Sequence, residues 1–119
     1  PITLSATSVG GDGLAGTELI STVITVTIAS PNSPTIHVDN NNSPTTKYKQ
    51  ATASSGLSGA SLVTPGVGSG NAQALTLSGG NQVFLQFQVT TGELQFTNKT
   101  YTITNGSDTA TISVTEAIR

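Results

Sequence analysis

The chain contains no cysteine, no tryptophan and no methionine among its 119 residues, and only 8% of them are charged. Without cysteine there is no disulfide, no thiolate metal site and no thiol nucleophile. The length suits one domain with a real core, so no covalent staple is required. Charge is scarce in both signs: four basic and six acidic residues leave a net charge of −2. That argues against a phosphate-tracking surface, and no nucleic-acid partner is expected. Solubility falls to Thr, Ser, Asn and Gln. A surface with so few titrating groups changes little with pH or salt, which suits exposed extracellular material. Long apolar runs are missing too. The longest, LISTVITVTIA (Leu19 to Ala29), has 11 residues and is laced with Thr and Ser, whereas a membrane span takes about 20. No membrane insertion is expected. No signal peptide is visible, and a start at Pro1 instead of Met reads as a processed or cut product.

Helical periodicity is also absent, and β-branched residues and glycine dominate. TELISTVITVTIAS predicts a long half-buried strand with Ile20, Ile24, Val26 and Ile28 on one face. PNSP (Pro31 to Pro34) ends it, because prolines cannot serve a central ladder. TIHV (Thr35 to Val38) predicts a short strand. Residues 45–70 read as loops and weak edge segments, with ASLV (Ala60 to Val63) as a short strand. QALTL (Gln73 to Leu77) leads into the turn SGGN. QVFLQFQVTT then sets Val83, Leu85, Phe87 and Val89 on one face. LQFTNKTYTITN begins with Leu94 and Phe96 inward but ends with Tyr101 and Ile103 inward. That change of parity calls for a bulge or turn near Asn98–Lys99. NGSD (Asn105 to Asp108) is a hairpin connection, and TATISVTEAI closes the chain with Ala110, Ile112 and Val114 inward. Roughly seven or eight strands with turn signals every 8–12 residues predict an all-β fold, an antiparallel immunoglobulin-like or jelly-roll-like sandwich.

The chain opens on PITLSATSV, in which Ile2, Leu4 and Ala6 alternate with Thr and Ser. Gly10, Gly11, Gly13 and Gly16 then crowd into seven positions. This predicts an extended N-terminal strand followed by a flexible hinge, residues 1–16, ahead of a sandwich body, residues 17–119. Such a strand can pair at home, or it can enter a neighbouring copy. In the second case Ile2, Leu4, Ala6 and Val9 are the donated side chains, and Val83, Leu85, Phe87 and Val89 help line the acceptor core.

From Leu75 to Thr115, the layout LTLSGGNQVFLQF…GELQF…YTITNGSDTATISVT resembles the C-terminal half of immunoglobulin-like domains on bacterial and archaeal surface proteins. PITLSATSV with its glycines resembles the free N-terminal strand of subunits in strand-exchange pili and archaeal thread-like filaments. That resemblance implies a homopolymer in which each copy donates its first strand to the next. It implies nothing about activity.

Candidate chemistry is sparse. IHVD puts His37, the single histidine, and Asp39 on one face of a strand, a pair that could orient a base or hold a metal; the plain reading is a solvated pair at a strand end. Asp39, Asn41 and Ser43 copy the first half of a calcium loop, but Pro44 and Gln50 stand where its glycine and glutamate belong, so an EF-hand is rejected. The Gly-rich segments lack the lysine of a phosphate loop. Asn41, Asn98 and Asn105 lie in glycosylation sequons, and Asn98 and Asn105 are the candidate acceptors because they fall in predicted turns. Phe84 and Tyr48 are the two aromatics left as sugar platforms. No catalytic residue, metal or other cofactor is expected, and the chain does not read as an enzyme.

The functional expectation is a structural subunit of an extracellular filament or surface assembly at the cell surface, with other copies of itself as partner. Two alternatives stay open: an adhesin or carbohydrate-binding module meeting surface glycans or receptors, and a virion coat or decoration protein.

Overall fold

The computed structural model describes residues 1–13, 19–31, 33–39, 46–89 and 95–118. Among them the chain is a β-sandwich with ten strands, two short 3-10 turns and no α-helix. The strands are β1 (Ile2–Leu4), β2 (Ser8–Gly13), β3 (Leu19–Ile20), β4 (Ile24–Ile28), β5 (Thr35–Val38), β6 (Thr46–Ala51), β7 (Gln73–Ala74), β8 (Gln82–Val89), β9 (Gln95–Asn105) and β10 (Asp108–Ile118). One sheet runs β1-β4-β8, with β6 on the far edge of β8 and β3 beside β8 beyond the end of β4. The other runs β2-β10-β9-β5-β7. All pairings are antiparallel except β2 on β10.

The inner faces follow the period of two that strands impose. Ile24, Val26 and Ile28 are buried from β4, Val83, Leu85 and Phe87 from β8, Tyr101 and Ile103 from β9, and Ile112 and Val114 from β10. At the centre, Tyr101 of one sheet stacks obliquely on Phe87 of the other, ring centroids 4.6 Å apart. Tyr48 meets the same Tyr101 edge-on at 6.4 Å. Aromatic pairs in these geometries add about 0.5–1.5 kcal/mol beyond their area.

Several sequence expectations are corrected by the structure. The strand predicted from residue 17 onward is broken in two. Ladder sums change from 108 in β3 (Leu19 with Val89) to 109 in β4 (Ile24 with Leu85), so three residues on one strand face two on the other. This β-bulge reverses the side-chain parity. Ile20, expected inward, is 49% exposed, Val23 is 38% exposed, and Ser21 is buried instead. The Ser21 hydroxyl repairs the interrupted ladder: it accepts the Phe87 N–H at 2.9 Å and donates to the Thr22 carbonyl at 2.8 Å. The Ser21 N–H in turn bonds the Phe87 carbonyl at 2.8 Å.

β6, an edge strand, arises in a region read as loops and weak edge segments. It has one core residue, Tyr48, between the half-exposed Lys47 and Lys49. Tyr48 is therefore no sugar platform; it is fully buried and donates to Gln73 Oε1 at 3.2 Å. The same Oε1 accepts the Gly66 N–H at 3.1 Å, tying the long crossover to β7. Val63, from the segment expected as a strand, makes only an isolated bridge to Tyr48. The bulge expected at Asn98–Lys99 is absent, because β9 and β10 keep one register from Asn105–Asp108 to Gln95–Ile118.

Two outcomes follow from these contacts. Ser21→Ala leaves the buried Phe87 N–H without its acceptor, and urea denaturation should register a loss of about 1–3 kcal/mol. Burial pushes the Tyr48 hydroxyl from its ordinary 10.0 up to about 12. The folded value lies above the unfolded one, so this contribution is complete below pH 10 and is lost as pH rises toward 12. A urea midpoint measured against pH should begin to fall at about pH 10, and fall less in Tyr48→Phe.

Candidate functional site: the N-terminal strands and their seats

The first thirteen residues serve both sheets. β1 alternates, with Ile2 and Leu4 partly buried against the core and Thr3 exposed. It runs antiparallel to β4, with Ile2 opposite Ile28 and Leu4 opposite Val26. The Ala29 N–H donates to the Pro1 carbonyl at 3.2 Å and the Ser5 N–H to the Thr25 carbonyl at 3.0 Å. Ser5 marks the crossing, where its hydroxyl accepts the Thr25 N–H at 2.8 Å. Two residues later the Thr7 carbonyl already accepts the Ser113 N–H of the opposite sheet at 2.9 Å. Ala6 packs against the core between these points, and Val9 is buried opposite Val114. Each of the four expected donor side chains is thus seated in the chain's own sandwich.

The glycines do different work from the hinge expected of them. Gly10, Gly11 and Gly13 lie inside β2, paired with Thr115, Glu116 and Ile118; Gly16 lies outside the described residues. The close parallel approach to β10 is the physical reason. A Cβ on Gly10 would run into the Thr115 carbonyl oxygen, where no carbon fits.

β2 covers β10 only from Ser113 onward. Ahead of that point, among the described residues, neither the edge of β10 turned away from β9 nor the outer edge of β1 has a strand paired to it. Between them opens a groove of about 460 Å³, lined by Ile2, Leu4, Thr7, Ala110, Thr111 and Ser113. The expected acceptor residues Val83, Leu85 and Phe87 are fully buried in the core behind it, while the Val89 side chain lies outside the described residues.

The remaining candidates fall elsewhere. Asn98, expected in a turn, lies in β9 opposite Thr115. Asn105 ends β9 just before the turning Gly106 (φ 63°); its side chain is buried and donates to the Ser30 carbonyl at 3.0 Å. That nitrogen is engaged in the fold and does not face solvent as the sequence expectation required. Asn41 and Ser43 lie outside the described residues. Phe84 is on the outer face of its sheet, half-buried between Thr25 and Ala51. Among the described residues no group of three or more His, Asp or Glu is gathered, and no helix is long and apolar enough to cross a membrane. His37 in β5 and Asp39 just beyond its end are each partly buried, with His37 Nδ1 and Asp39 Oδ1 enclosed.

No protein-family model matches the chain, and no curated protein matches it. Similarity appears at the level of solved structures. A family 123 glycoside hydrolase from Clostridium perfringens, studied for glycolipid glycan hydrolysis, aligns with a TM-score of 0.53 at 14% identity, over 95% of this chain and 23% of that one. Domains 4 and 5 of the S-layer protein SbsC align with a TM-score of 0.46 at 12% identity, over 98% of this chain and 50% of theirs. This chain therefore spans about a quarter of the first and half of the second. The likeness to the hydrolase is one of fold.

Gly10→Ala should force β2 from β10 and cost about 1–3 kcal/mol, the usual range for overpacking. Thermal denaturation of the two proteins at matched concentration measures it.

Proposed function

We propose that the chain is a structural subunit of an extracellular filament or surface assembly whose copies are joined through the N-terminal strand, and that it acts by assembly and not by catalysis. One observation carries this reading. Residues 1–13 meet the body along open sheet edges, through side chains entering from the seam and through an ion pair of the Pro1 ammonium with Asp108 at 3.3 Å, so the same segment of another copy can make those contacts. In the structure they are made within one chain. Exchange requires the segment to leave its seat and a neighbour's to replace it. The contacts then cancel between closed monomer and linked copies, and concentration and the connecting residues set the balance. Because donor and seat are different surfaces, the contact is heterologous, and copies that do not close a ring extend as a fibre.

The seat matters energetically. Val9 fully buried, with Ile2, Leu4 and Ala6 partly so, contributes roughly 3–6 kcal/mol. Domains of this kind hold about 5–15 kcal/mol in all. A body without its first strand is therefore strongly weakened, and its open edges become sites for pairing.

A second reading, a carbohydrate-binding module of a larger surface protein, is favoured by Phe84 standing on an outer face beside Gln82 and Gln86. Under that reading Phe84→Ala abolishes retention on immobilised neutral glycans and leaves any assembly unchanged.

Deleting residues 1–9 tests the first reading. Negative-stain electron microscopy should find fibres from the full chain at high concentration and none from the truncated one, and the peptide PITLSATSV should restore its thermal transition. Full-length protein that stays monodisperse at every concentration, or truncated protein that assembles equally well, overturns the proposal.

A further inference from the structure

The first half of β10 presents an open edge. Residues 108–112 pair with β9 on one side, and β2 joins the other side only from Ser113. In an antiparallel ladder, alternate residues turn their N–H and C=O to opposite sides. The Ser113 N–H donates to the Thr7 carbonyl at 2.9 Å, away from β9. Thr111 and Thr109 share its parity. Each therefore aims one N–H and one C=O at the open edge, and among the described residues no backbone group meets them.

Edges are ordinarily protected by lysine, proline, a bulge or a covering loop. Thr109, Ala110, Thr111 and Ile112 supply none of these. The charge beside them, on Asp108, is paired with the Pro1 ammonium at 3.3 Å. Thr109 and Thr111 are exposed, and Ala110 lines the groove of about 460 Å³ with Ile2 and Leu4.

The pattern of free groups selects the occupant. A partner strand must be short, because the hairpin turn at Gly106 and the Thr7 contact bound the edge. It must also bring free groups at the same two-residue spacing. The first half of β10 in a second copy does both. Turned antiparallel about Ala110, it sets Thr109 opposite Thr111 and Thr111 opposite Thr109. Every free group on both strands is then used. The registers on either side, Thr109 on Thr109 or Thr111 on Thr111, use only half of them, since Ser107 lies in the turn and the Ser113 amide is taken. In the favoured register Asp108 faces Ile112, so no like charges are opposed, and threonine faces threonine, a stabilising cross-strand pair.

We propose that this edge is a two-fold contact between copies, in which β10 of one pairs antiparallel with β10 of the other through residues 108–112. The sheets that carry β10 become continuous, and the partner strand lies along the groove flanked by Ile2 and Leu4. β1 and β2 keep their own seats, so the contact does not rest on exchange of residues 1–13. Exchange joins unlike surfaces and runs on; this contact joins like surfaces and closes at two.

Disulfide capture tests the contact and its register. The Cα atoms of the Ala110 pair would lie about 4.5 Å apart, within the span a disulfide takes. The chain has no cysteine, so a single one reports cleanly. Full-length Ala110→Cys should convert to a covalent dimer under mild oxidation several-fold faster than Ser107→Cys in the exposed turn. Adding Thr109→Lys and Thr111→Lys sets lysine against lysine and should abolish capture. Mixing that protein with Ala110→Cys carrying Thr109→Glu and Thr111→Glu should restore it, as a heterodimer alone. Both threonines are exposed, so the monomers should melt as before. Capture no faster than in Ser107→Cys, or capture unchanged by the lysine pair, overturns the proposal. So does a mixture of folded lysine and glutamate proteins that fails to cross-link. Should Ala110→Cys fail to fold, sedimentation equilibrium decides: a dimer of the unaltered chain that is lost with Thr109→Lys and Thr111→Lys supports the contact, and equal masses overturn it.

Discussion

The fold turns on a contact between three rings. Of the five aromatic residues in the chain, Tyr48, Phe87 and Tyr101 meet at the centre of the sandwich, one each from β6, β8 and β9. They are the largest of the fully buried side chains, and the rest of the core is built from Ile, Leu and Val around them. A side-chain period of two leaves little freedom once these positions are fixed. Seating Phe87 inward sets the inward series of β8, and Tyr101 does the same for β9 and, through its pairing with Ile112, for β10. The Tyr48 hydroxyl is bonded to Gln73, which draws the crossover between β6 and β8 onto the core.

Around that centre the edges are handled unequally. The bulge at Ser21 turns the β3–β4 edge and moves Ile20 outward, with a serine hydroxyl standing in for the lost backbone acceptor. The β4 and β10 edges are covered by a single stretch that begins on one sheet and finishes on the other. Such an arrangement closes a sandwich with few residues. It also concentrates the closing contacts in a segment at one end of the chain, the property on which the proposed assembly rests. The groove left between β1 and the first half of β10 is the part of the seam that this segment does not reach.

The surface bears on function through what it omits. Outward positions on β9 and β10 carry Thr100, Thr102, Thr104, Thr109, Thr111 and Ser113 in paired rows. Stiff, neutral hydroxyl side chains suit strands and bring no charge to repel a neighbouring copy.

The sequence alone determined the fold class, the strands β4, β5, β8 and β10 and the inward faces of β4, β8 and β10, because each is a clean alternation bounded by Gly, Pro or Asn. It did not reveal β6, whose alternation is a single tyrosine between two lysines. For β9 it placed Tyr101 and Ile103 inward, as the structure does, but it did not reveal that the polar Lys99 and Asn105 are buried with them. The glycines that follow the first strand read as freedom of rotation. Tertiary structure gave them another purpose, since only the proximity of the Thr115 carbonyl makes a side chain at Gly10 impossible. Parity across the Ser21 bulge was likewise decided in three dimensions. Local pattern fixes which residues alternate, but which strand lies beside them, and how closely, is settled only when the whole chain packs.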